Sequence, residues 1–107
     1  MMTPDIAALR IARDLKQFED ALDTALAAQC ALGATLAQAR IDTDTPLVVG
    51  HVALMRLVKA GQTLIAARAD AIRAHEELYK VAEERCDFPL TPKPKSALES
   101  FEVAQAA

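Results

Sequence analysis

Two long stretches without proline, Asp5 to Thr45 and Leu47 to Phe88, constrain this chain more than any other feature. Proline removes a backbone donor and clashes with the preceding helical turn, so its position marks where helices can begin and end. Pro4 follows Thr3 and precedes Asp5. Threonine caps a helix, proline fits the first helical position, and aspartate suits the positive end of the helix dipole. Thr45-Pro46 repeats this grammar after the turn-forming run Asp42-Thr43-Asp44. The pattern predicts one helix over about 4–41 and a second over about 46–86.

The first stretch carries Ile11, Leu15, Phe18, Leu22, Ala25, Leu32 and Leu36 at alternating steps of three and four, with Gln29 filling one slot. That is a heptad seam. Gly33 is read as helical, at a cost of about 1 kcal/mol against alanine, because the seam keeps its phase to Leu36. The second stretch places Leu54, Leu57, Val58, Leu64, Ile65, Ile72, Leu78, Tyr79 and Ala82 along one stripe, and Gly61, Arg68 and His75 fall into it at seven-residue intervals. Two helices on the order of 55 Å long, joined by a short turn, become antiparallel neighbours. A turn centred near Thr45 sets Gln29 beside Gly61, Leu22 and Asp23 beside Arg68, Phe18 beside Ile72, and Leu15 beside His75. The fold class is therefore all-α: a long, coiled-coil-like antiparallel two-helix hairpin over residues 1–86.

After Cys86 the grammar changes. Pro89, Pro92 and Pro94 exclude an α-helix over 87–95, which reads as an extended Pro-rich link. Ser96-Ala97-Leu98-Glu99 matches a capping box, so 96–107 reads as a short helix or a flexible tail.

Several chemistries find no support in the residues. His51 and His75 would be about 36 Å apart on one straight helix and cannot share a metal. Neither follows a glutamate at the spacing that a di-iron bundle uses. No glycine-rich phosphate loop, zinc spacing or nucleophile–histidine–carboxylate arrangement is present. No cofactor and no metal is expected, and the chain is read as non-enzymatic. His75 is read as an edge-of-core histidine, and Arg68 as an apolar stem whose head reaches Asp23 or Glu19 across the hairpin. Cys30 and Cys86 would be separated by roughly 39 Å, far beyond disulfide reach. Pro89 to Pro92 fits a PxxP pattern, but a plain link is the simpler reading.

The formal charge of −3, with both signs interleaved, argues against nucleic acid as a partner. No apolar run is long enough for a membrane span, and none has the layout of a secretion signal, so the expected location is cytoplasmic.

One segment stands out. From Leu47 to Val58 the chain reads LVVGHVALMRLV, strongly polar only at His51 and Arg56. A helix apolar nearly all round is normally covered all round. Leu47, Val48, Val49, Val52 and Met55 are therefore the candidate interface residues, and the expected partner is a second copy of this chain or another helical protein. The run Val48–Leu78, with Phe18-Glu19-Asp20-Ala21-Leu22 before it, resembles short Ala/Leu-rich helical-hairpin proteins of bacterial genomes, some of them in prophage-like gene clusters. The resemblance implies a helical assembly or accessory protein and assigns no functional residue. The expectation is a homo-oligomeric structural or adaptor subunit. The alternative is a small regulatory module that docks on and inhibits a specific protein.

Overall fold

A computed structural model describes residues 2–85. Among these residues there are two helices and no strand: α1, Pro4–Asp42, and α2, His51–Arg85. The Pro-rich link over 87–95, the helix expected after Ser96 and the thiol of Cys86 lie outside the described residues. No helix among them is long and apolar enough to cross a membrane.

The start of α1 is capped by its own sequence. The Thr3 hydroxyl oxygen accepts from the Ile6 amide at 3.2 Å, and the Thr3 carbonyl accepts from Ala7 at 3.0 Å. Pro4 spends no useful donor at the first helical position. The end of α1 is a Schellman motif. Thr45 N–H donates to the Arg40 carbonyl at 3.0 Å and Asp44 N–H to Ile41 at 3.2 Å. Asp44 takes the left-handed conformation (φ 50°) that this motif normally assigns to glycine. The Thr43 hydroxyl donates to the Ala39 carbonyl at 2.7 Å, and Arg40 Nη1 donates to the Thr45 carbonyl at 3.3 Å.

The second helix begins later than its sequence suggests. Thr45-Pro46 does not cap α2; residues 47–50 form turns, and the helix starts at His51. The physical cause is Gly50, whose φ of +80° lies outside the helical region. Val48 and Val49, β-branched and weak helix formers, precede it. Val49 N–H closes a short turn on the Pro46 carbonyl at 3.0 Å, and the first full helical bond runs from Leu54 N–H to the Gly50 carbonyl at 3.0 Å. Leu47, Val48 and Val49 therefore belong to the connection, not to a helix face.

The described residues pack as two units, one of Phe18–Ala69 and one made of residues 2–17 and 70–85. In the Phe18–Ala69 unit the two helices run antiparallel. Gln29 Nε2 donates to the Leu57 carbonyl at 3.2 Å, and Arg68 Nε pairs with Asp23 Oδ1 at 2.6 Å. Partner numbers thus fall on α2 as they rise on α1. Gly61 is buried opposite Gln29, where a Cβ would stand 2.8 Å from the Gln29 side-chain carbon Cδ.

The seam itself is turned from the expected one. Leu22 and Gln29 are half-buried as anticipated, but the alternating positions are Glu19, Leu26 and Gly33, not Phe18, Ala25 and Leu32. On α2 the matching positions are Leu57, Gly61, Leu64 and Ala67. This rotation brings Gly33 into the interface beside Gly61, which the expected seam already set against Gln29. A Cβ at Gly33 would stand 3.7 Å from Leu57 Cδ2, so the Leu57 side chain fills the space beside the α1 backbone. Close backbone approach at two glycines takes the place of bulk from Phe18 and Leu32, which are left exposed.

In the other unit, Ala7, Ala8, Ala12 and Leu15 of α1 are half-buried, as are His75, Leu78, Tyr79 and Ala82 of α2. Ala71, 4% exposed, is the buried hydrophobic residue of the described chain.

Candidate interaction surface

The residues singled out by sequence are exposed. Leu47, Val48, Val49, Val52 and Met55 are each between 59 and 79% exposed. Leu47–Val49 project from the connection. Val52 and Met55 sit, by the 100° step of a helix, on the side of α2 turned away from the Leu57–Gly61–Leu64 seam. Val58, 51% exposed, continues the patch, which then ends at Lys59, Gln62 and Thr63. One continuous apolar cap thus covers the beginning of α2 and the turn before it.

Sequence reasoning missed a second set of exposed apolar residues. Phe18, Leu32 and Leu36 lie along one flank of α1, and Leu54, Val58 and Ile65 along one flank of α2. The seven-residue spacing of Phe18, Ala25 and Leu32 is visible in the sequence, where it reads equally well as the seam. The signal that distinguishes the two frames is glycine: only the frame through Gly33 and Gly61 uses both for close approach.

Side-chain contacts between the helices of the Phe18–Ala69 unit include the half-buried Gln29–Leu57 hydrogen bond and the exposed Arg68–Asp23 pair. The Arg68–Asp23 pair is well formed, yet its side chains are 45% and 61% exposed. Solvent screening leaves such a pair worth less than about 1 kcal/mol. Its role is to fix which residue of α1 lies beside which residue of α2.

The other unit carries a shallow apolar groove of about 310 Å³. Ala8, Ile11 and Leu15 form one wall, and His75, Leu78 and Tyr79 the other. Nε2 of His75 is shielded from solvent. Desolvation holds the Tyr79 phenol above its ordinary pKa of 10.0, helped by a hydrogen bond to Glu83 and by that carboxylate's charge. Arg68 does not line the groove, and no carboxylate does. The groove therefore offers apolar contact, one imidazole, one phenol and, at its rim, Arg85. Among the described residues no group of three or more His, Cys, Asp or Glu side chains is placed to hold a metal ion. Cys30 is a free, exposed thiol.

No protein-family model matches this chain, and no curated protein and no solved structure matches it either.

Proposed function

We propose that this chain is a non-enzymatic helical interaction protein, a homo-oligomeric structural or adaptor subunit that associates through the cap formed by Leu47, Val48, Val49, Val52 and Met55. The observation that carries this reading is the imbalance of burial. The described chain buries a single alanine among its hydrophobic residues while leaving eighteen large apolar side chains exposed. Fully burying a side chain of this size contributes about 1.5–3 kcal/mol. For the five cap residues, about two-thirds exposed, covering them would contribute about 7 kcal/mol per chain before association costs. A contiguous apolar surface of this kind marks an interaction site. A phage- or prophage-encoded assembly component is one version of the reading, supported by the resemblance of Val48–Leu78 noted above.

The test is static light scattering at micromolar concentration on the full chain and on a Val52→Asp, Met55→Lys double variant. The expected wild type is larger than a monomer, and the double variant loses mass. A monodisperse wild-type monomer overturns the reading and favours a module that docks on a different protein. A double variant with unchanged mass overturns the cap as the site.

A further inference from the structure

The PxxP run from Pro89 to Pro92 plays no part in the association proposed above. Neither does the groove between the start of α1 and the end of α2. Half-buried Ala7, Ala8, Ala12 and Ala82 give that groove its small-residue lining, and the rings of His75 and Tyr79 give it aromatic surface. Its rims, Ile11 and Val81, are 46% and 52% exposed. By the 100° step of a helix, Arg10 and Asp14 on α1 and Glu77 on α2 border the groove without lining it. Asp14 already pairs with Arg13 at 2.9 Å, and Glu77 with Lys80 at 3.2 Å. The groove therefore suits an uncharged, apolar occupant. It offers few acceptors, so an occupant with few backbone donors costs least to bring out of water.

We infer that this groove is a docking site for the chain's own segment Phe88–Pro92, which folds back onto it from the end of α2. Position comes first. Arg85, the last residue of α2, lines the groove, and Phe88 follows three residues later. Cys86 and Asp87 supply the reversal. A tether this short holds the segment at an effective concentration in the millimolar range, on the order of what a free partner rarely reaches. Length agrees. From His75 to Arg85 the groove runs about 15 Å along α2. Phe88 to Pro92, extended as the sequence reads, spans about 12–15 Å. Chemistry agrees as well. The segment reads Phe-Pro-Leu-Thr-Pro, with no charge between Asp87 and Lys93, and its two prolines bring no backbone donor. Aromatic-lined grooves recognise such segments because little entropy is lost when a proline-stiffened chain binds. Residues 98–103 fit less well: they carry Glu99 and Glu102 and hang on a longer tether.

The chain has one tyrosine and no tryptophan, so its intrinsic fluorescence reports on Tyr79 and hence on the groove. The experiment is acrylamide quenching of that fluorescence in four full-length proteins: wild type, Phe88→Ser with Leu90→Ser, Val81→Glu at the exposed rim, and the three changes combined. Circular dichroism checks that each keeps its helix content; Val81→Ser replaces Val81→Glu if that variant does not. Quenching is expected to be weakest in wild type, to rise in the tail variant and in the rim variant, and to rise no further when the changes are combined. Wild-type quenching should not change on dilution, and the tail variant should keep the wild-type mass in light scattering. Equal quenching in wild type and the tail variant overturns the inference. So does a rim substitution that leaves quenching unchanged, or one that raises it even without Phe88 and Leu90. Protection of Tyr79 that fades on dilution, or a tail variant of lower mass, overturns it by showing that the occupant comes from another chain. A wild-type monomer overturns the self-association proposed above and leaves this docking untouched.

Discussion

Three glycines and one aspartate set the backbone of this molecule, and each makes a separate prediction. Gly33 is helical with room for a methyl group, since a Cβ would meet Leu57 at an ordinary 3.7 Å. Gly33→Ala is expected to stabilise by about 1 kcal/mol through helix propensity alone. Gly61 is the contrast. A Cβ there meets the Gln29 side-chain amide nitrogen at 2.9 Å, and that nitrogen donates to the Leu57 carbonyl. Gly61→Ala gains propensity and loses about as much from a hydrogen bond, so it should be near neutral. Gly61→Leu overpacks the approach and should cost about 1–3 kcal/mol. Urea titration of these variants separates the positions; a stabilising Gly61→Leu would place residue 61 outside the seam. Asp44 pays for a left-handed backbone and sets a negative charge beyond the negative end of α1. Asp44→Gly should raise stability by about 0.5–1 kcal/mol in the same assay, whereas Gly50→Ala, with φ at +80°, should lower it by about 1 kcal/mol. Tyr79 adds a pH dependence. Its raised pKa means that the folded chain keeps the phenol proton to higher pH than the unfolded chain does. The resulting stability is whole below pH 10 and is lost as pH rises through the folded value. Melting temperatures at pH 9 and pH 11 should therefore converge in Tyr79→Phe relative to wild type. Equal slopes would show that the phenol does not couple to folding.

At the scale of elements, the helices were legible because their determinants are local. Thr3-Pro4-Asp5 writes the start of α1, and the absence of proline carries it to Asp42. Two features escaped. The start of α2 depends on a backbone choice at Gly50: glycine tolerates both the helical and the left-handed conformation, so its identity alone does not decide. The seam of α1 depends on packing against α2. Leu15, Leu22 and Gln29 belong to both candidate frames, and the frames differ by one residue at every other position. Phe18 and Leu32 are the bulkier choice, Gly33 the closer one; the partner's Leu57 and Gly61 decide between them. The pairing of Arg68 with Asp23 was foreseeable because it needs only the length of the turn. Asp23→Asn should change stability by less than about 1 kcal/mol, and 1 M salt should erase most of the difference. A larger loss would mean that the pair is shielded from water by a neighbouring molecule.

Among the described residues the usual distribution of apolar surface is inverted. Two helices facing one another can bury one stripe each, and here the glycines in that stripe contribute closeness without apolar area. If an assembly covers the outside, as proposed, stability depends on that assembly. Mass action makes this measurable: if only assembled chains are stable, the melting temperature rises with protein concentration. A melting temperature constant over a hundredfold range of concentration would show that the hairpin stands alone.

The connection between α1 and α2 also decides where the chain is open to attack. Leu47, Val48 and Val49 lie in a non-helical, exposed segment, the kind of backbone that fits a protease cleft. The nearest arginines, Arg40 and Arg56, are inside helices. Trypsin should therefore leave the connection intact, while chymotrypsin should nick it after Leu47. The rate of that single cut, followed across protein concentration, reports how much of the time the tip of the hairpin is bare.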